Sequence, residues 1–115
     1  MIKVIVAIVR KPGMSPEAFH THWRTQHARL VASSNAAKRY IRRYIQAHTV
    51  LSEYAAGEPA FDGIAELWFD SIEDRDRFYS DPEYLATIKP DESQFADLTR
   101  TQFIATREEA VMGML

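Results

Sequence analysis

Two periods of apolar and polar residues divide this chain into elements. Residues 2–9 are almost continuously apolar and β-branched. Ile2, Val4, Val6 and Ile8 line one face of the predicted strand, and Ile5, Ala7 and Val9 line the other. A strand apolar on both sides needs a cover on both sides. Helices in so short a chain cover one face, and a second copy of the chain is the simplest cover for the other. After a turn at Lys11-Pro12-Gly13-Met14 the period becomes helical, with Ser15 as N-cap, Pro16 at the first helical position and Glu17 in the first turn. The pattern predicts a helix to about Ser34, with Asn35 as its stop. At about 100° per residue, Phe19, Trp23, Leu30 and Val31 share one face. His27 joins that stripe one turn past Trp23 and is expected to be buried, whereas His22 projects from the opposite side and is expected to see water.

Residues 39–51 read as a second strand, with Tyr44, Gln46 and His48 on one face and Ile45 and Ala47 on the other. Residues 52–60 carry Gly57 and Pro59 and read as a loop, and residues 61–69 as a third strand. Ser71-Ile72-Glu73-Asp74 caps a helix through Tyr79, whose buried side is expected to be Ile72, Phe78 and Tyr79. Asp81-Pro82-Glu83 restarts a helix that Pro90 is expected to interrupt, and residues 91–97 add a turn or two. Residues 99–107 form the fourth strand, followed by a tail from Val111 to Leu115. The order β-α-β-β-α-β predicts an α+β, ferredoxin-like domain with a four-stranded antiparallel sheet. One such domain accounts for all 115 residues.

Composition narrows the partners. The chain is 46% hydrophobic and 26% charged with a formal net charge of −2, the balance of an ordinary globule. The densest basic cluster, Lys38-Arg39-Tyr40-Ile41-Arg42-Arg43, reads as solvated strand-edge charge, so nucleic acid is not expected as a partner. No apolar run approaches a membrane span, and the opening apolar run reads as a buried strand, not a signal core. There is no cysteine, which removes disulfides, thiolate nucleophiles and cysteine metal sites. It fits the expected cytoplasmic location.

The candidate chemistry lies in the histidines. His27 on the buried face of the first helix, opposite Tyr44 and His48, suits proton transfer near neutral pH, since an unperturbed imidazole titrates at about 6.5. The alternative is a satisfied core histidine. His20, His22 and His27 lack the shared inward orientation of a metal site, so no metal is expected. Glu66 is a carboxylate in an apolar strand, expected to pair with an arginine such as Arg42 or Arg43 across the sheet, with service in the cavity as the alternative. Ser15, Ser71 and Asp81 are caps rather than nucleophiles. No glycine loop or nucleotide fingerprint is present, and no cofactor is expected.

Four motifs in order then point to a family: Lys11-Pro12-Gly13-Met14-Ser15 with Phe19-x-x-x-Trp23-x-x-x-His27; Arg43-Tyr44-Ile45-Gln46-x-His48; Asp62-Gly63-x-Ala65-Glu66-x-Trp68-Phe69; and Asp91-Glu92-x-x-Phe95-x-Asp97. Together they resemble EthD-domain proteins of the dimeric α/β-barrel superfamily. The resemblance implies a homodimer whose two sheets face each other as a barrel, with a small cavity between helices and sheet in each subunit. It implies His27 and Tyr44 as catalytic residues, the positions matching a helix histidine and a strand tyrosine in the methylmuconolactone methylisomerase. Trp23, His48 and Phe69 are the expected substrate-binding residues, with plain core packing the alternative for Trp23.

The function expected is that of a cofactor-independent acid/base enzyme, a lyase, dehydratase or isomerase. Its substrate would be a small hydrophobic, cyclic or phenolic, enolisable compound. His27 would move the proton, Tyr44 would polarise a carbonyl and His48 would assist. The alternatives are a non-catalytic small-molecule-binding or accessory protein and a cofactor-free monooxygenase. A cavity shared by His27 and Tyr44 would favour catalysis over binding.

Overall fold

The computed structural model describes residues 1–113; the last two residues of the expected tail, Met114 and Leu115, lie outside them. Four strands, β1 (Ile2–Ile8), β2 (Ile41–His48), β3 (Gly63–Phe69) and β4 (Gln102–Thr106), form one sheet in the order β2-β3-β1-β4. Every neighbouring pair is antiparallel, with Val6 opposite both Ala65 and Phe103. The crossover between β1 and β2 carries α1 (Pro16–His22), a π-helical turn (Trp23–His27), α2 (Ala28–Ser33) and α3 (Asn35–Tyr40). That between β3 and β4 carries α4 (Ile72–Ser80), a second π turn (Tyr84–Ile88) and α5 (Lys89–Phe95). This is the expected ferredoxin-like plan.

The α-helices and π turns of both crossovers cover one face of the sheet. Val4, Val6, Ile8, Ala65, Leu67 and Phe69 point into that layer and meet Phe19, Trp23, Phe78, Ile88 and Phe95 from the helices. Trp23 lies across the start of β3 so closely that a Cβ at Gly63 would overlap its six-membered ring. Glycine is required there by the contact, not by backbone conformation. The other face carries Lys3, Ile5, Ala7, Arg43, Ile45, Ala47, Ile64, Glu66, Trp68 and Ile104, and no helix covers it. Ile104 is 57% exposed.

The N-caps are as expected. Ser15 accepts from the Ala18 N–H, Ser71 from that of Asp74 and Asp81 from that of Glu83. Five local expectations fail. Asn35 does not end the helical region: Ser34 turns extended, accepts the Ala37 N–H and caps the further helix α3, so β2 starts only at Ile41. Pro90 does not interrupt its helix, because the widened π turn ahead of it, where the Lys89 N–H reaches Tyr84, makes room for a ring that would clash with a regular turn. Leu51–Ala56, the end of the expected second strand and the start of the expected loop, form a 3₁₀ helix. Ile72, at the first position of α4, is 37% exposed, and the buried side of that helix is carried by Phe78 with Tyr79. Glu66 is paired, but with Lys3 at 2.6 Å on the adjacent strand β1; the arginines of β2 turn elsewhere, Arg42 to Asp70 and Arg43 over the Trp68 ring.

Candidate active site

The first π turn sets the site. In a regular α-helix residues five apart are offset by about 140°, which is why His22 and His27 are expected on opposite sides. A turn closed by i→i+5 bonds stacks them instead. Both rings therefore reach one buried carboxylate, Asp91 of α5. His27 Nδ1 lies 2.9 Å from Asp91 Oδ2, His22 Nε2 3.0 Å from Oδ1, and Gln26 Nε2 donates to Oδ1 at 3.0 Å. The expectation that His22 sees water is thus corrected, while His27 is buried as expected.

A carboxylate only accepts, so Asp91 fixes His27 as the Nδ1–H tautomer and leaves a lone pair on Nε2. Burial lowers the proton affinity of His27, with Asp91 opposing part of that effect, which keeps the ring neutral near pH 7. Among the described residues no protein group bonds Nε2 and no buried side-chain nitrogen or oxygen lacks a partner, so Nε2 borders open space. The ring lines a cavity of about 50 Å³ between helices and sheet, together with Trp23, Tyr44, Leu67, Phe95 and Glu92. Leu98 and Phe103, 43% and 53% exposed, line it from the solvent side.

Tyr44 reaches this cavity from β2. Its oxygen accepts from Gln46 Nε2 at 2.9 Å, and Gln46 also donates to the Trp23 carbonyl at 2.8 Å. Among the described residues the Tyr44 proton has no acceptor, which leaves it able to serve a ligand. Burial raises the Tyr44 pKa, so the phenol stays protonated.

The other expected substrate-binding residues divide. Trp23 lines the cavity, but its ring is also core. Phe69 is fully buried against Phe78 and Tyr79 and does not reach the cavity. His48 lies behind Trp23, with ring centroids 4.4 Å apart, in a separate cluster. There its Nε2 donates to Gln46 Oε1 at 2.9 Å and its Nδ1 meets His20 Nδ1 at 2.6 Å. His20 Nε2 in turn lies 3.1 Å from the Tyr54 hydroxyl, which donates to Asp62. Burial lowers the pKa of both histidines, that of His48 to about 4. His20 is therefore a second inward-facing histidine that the helical wheel did not identify. Among the described residues no group of three or more His, Cys, Asp or Glu is placed to hold a metal ion.

Two acids of the site were visible only as part of a motif, with no role. Asp91 orients His27. Glu92 lines the cavity, and its carboxyl is bonded at 2.9 and 3.1 Å by the Tyr84 hydroxyl, its only partner among the described residues. Burial pushes Glu92 up to about 7. The signal was present in the spacing: Tyr84, Ile88 and Phe95 mark an apolar stripe at helical intervals, and both acids fall beside it. Taking Pro90 as an interruption hid it.

Comparison with known proteins agrees with this architecture. The EthD domain matches residues 11–99. A conidial pigment biosynthesis dehydratase EthD of Metarhizium robertsii is 31% identical over 88% of this chain and 78% of its own. The dehydratase aurZ of Gibberella zeae is 29% identical over 96% of this chain and 80% of its own. A dimeric, ferredoxin-like protein of unknown function from Bacteroides fragilis superposes with a TM-score of 0.69 at 14% identity, covering 93% of this chain and 95% of the other. By its motifs, its fold and the match across residues 11–99, this chain belongs to the EthD domain family.

Proposed function

We propose that this chain is a dehydratase that works by proton transfer without a cofactor on a small, enolisable cyclic compound. One observation carries the reading: His27, tied through Nδ1 to Asp91, opens its basic Nε2 to the apolar cavity that also holds the Tyr44 hydroxyl. A ketone whose oxygen accepts the Tyr44 proton as a hydrogen bond acquires a more acidic α-carbon. His27 Nε2 takes the α-proton, Asp91 steadies the imidazolium that forms, and Tyr44 holds the enolate oxygen. Gln46 supports this by occupying the Tyr44 oxygen from behind. Relatives carrying the name dehydratase support the choice among enolate reactions.

The site works in a homodimer. The uncovered sheet face carries Ile5, Ile45, Ile64 and Ile104 among its charges, and a second copy packed sheet to sheet covers it. A cavity of about 150 Å³ takes up one benzene, so the cavity of about 50 Å³ has to widen to admit a ring, and it borders solvent at the exposed Leu98 and Phe103.

The test is turnover of 3-hydroxy-1-tetralone, a cyclic β-hydroxy ketone that loses water to give 1-naphthol, followed by naphthol absorbance. His27→Ala is expected to lower the rate by about 10²–10⁴-fold with fold retained, and Tyr44→Phe by less. Full turnover by His27→Ala below its melting transition would defeat the assignment.

A further inference from the structure

Dehydration makes three demands: a base for the α-proton, a donor for the enolate oxygen and an acid for the departing hydroxide. His27 and Tyr44 meet the first two. We propose that Glu92 is the acid, so that the site takes a cyclic β-hydroxy ketone and protonates the hydroxyl two carbons from the carbonyl as it leaves. This rests on the dehydratase reading.

Three observations carry it. Glu92 lines the same cavity as His27 and Tyr44, so all three side chains border one ligand space. It also differs from the carboxylates that hold the fold. Glu66 is paired with Lys3, Asp62 with Arg10, and Asp91 takes three donors, whereas Glu92 among the described residues meets only the phenol of Tyr84. One phenolic proton leaves the carboxyl able to keep a proton of its own and give it up. Finally, the surroundings favour the neutral acid. From α4 it faces Tyr79, from β2 Tyr44, from the second π turn Tyr84 and from the first His27. On its own helix Lys89 favours the anion and Asp91 opposes it. Burial outweighs Lys89, and the group titrates at about 7, where it is partly protonated near neutral pH.

The step balances without a co-reactant. The Cα–H bond breaks and its proton goes to His27 Nε2. The electron pair passes through the enolate held by Tyr44 and forms the Cα–Cβ double bond. The Cβ–O bond breaks, and the departing oxygen takes the Glu92 proton to leave as water. The imidazolium and the carboxylate that remain restore each other by proton transfer, with solvent as the carrier.

The alternative is that His27 shuttles the α-proton to the leaving group and Glu92 merely holds Tyr84. Comparing 3-hydroxy-1-tetralone with 3-acetoxy-1-tetralone separates the two, because acetate leaves without a proton. Glu92→Gln is expected to lose about 10²–10³-fold on the hydroxy compound, within the range of general acid catalysis, and to recover most of the native rate on the acetoxy compound. His27→Asn is expected to lose on both. Full rate of Glu92→Gln on the hydroxy compound would overturn the proposal in favour of the shuttle, and equal loss on both would overturn it in favour of a structural role. Turnover of both by His27→Asn, or of neither by the native protein, would overturn the dehydratase reading itself. Tyr84→Phe covers the case in which Glu92→Gln fails to fold. The Tyr84 bond lowers the Glu92 pKa, so removing it is expected to move the alkaline limb of kcat/KM upward, and an unmoved limb would overturn the proposal.

Discussion

Asp91→Asn is the sharpest perturbation of the site, because one buried carboxylate serves three donors from a single helical turn. Asparagine keeps the shape but offers one accepting oxygen and turns an NH₂ group toward N–H donors. Hydrogen bonds to a charged group contribute about 1.5–3 kcal/mol each, and asparagine leaves about two of the three donors without a charged acceptor. A loss of about 3–5 kcal/mol is therefore expected from a total of roughly 5–15, lowering Tm by roughly 10–20 °C for a domain of this size. His27 also loses the partner that fixes its tautomer, so part of the population is expected to carry its proton on Nε2 and be inactive as a base. Calorimetry gives the first effect, and long-range ¹⁵N–¹H spectra of the histidine rings give the second. A variant that melts within about 3 °C of the native protein, with His27 still wholly Nδ1–H, would refute the reasoning from the π turn.

Gly63→Ala is expected to cost about 1–3 kcal/mol by overpacking against Trp23, seen in urea denaturation; an unchanged midpoint would mean the ring can retreat. Burial lowers the proton affinity of His20, His27 and His48, the last to about 4. The unfolded chain therefore binds more protons between about 4 and 6.5, and stability present above pH 6.5 is lost as pH falls toward 4. Glu92, raised to about 7, acts oppositely: its contribution is complete below 4.5 and lost as pH rises through 7. His48→Gln is expected to flatten the acid-side slope of unfolding free energy measured from pH 7 to pH 4, and an unchanged slope would contradict this. Ile45→Glu, on the uncovered sheet face, is expected to shift sedimentation from that of the proposed dimer to that of a monomer; a native protein already monomeric at micromolar concentration would remove the dimer from the account.

The period-2 strands were legible because the core faces of β1 and β3 carry a buried residue at every second position. The caps were legible because Ser15 and Ser71 act on neighbours three residues away. What escaped depends on departures from the regular helical repeat. Two widened turns alter which residues align, joining His22 to His27 and carrying a helix through Pro90, and no propensity marks such a turn in advance. The inward orientation of His20 follows from Tyr54 and Asp62, which the sequence places far away. The Lys3–Glu66 pair needed the register of β1 against β3, whereas the arginines of β2 were equally plausible by composition. The inward positions of His27 and Tyr44 were legible because each sits on the face its period predicts.

Proton abstraction by His27 is tested most directly with 1-tetralone, which lacks the hydroxyl and isolates the first step. In D₂O the native protein is expected to exchange the α-protons of the ketone for deuterium, followed by loss of their NMR signal. His27→Gln, assayed below its melting transition, is expected to exchange them at least about 10²-fold more slowly. Exchange by folded His27→Gln at the native rate would contradict the account.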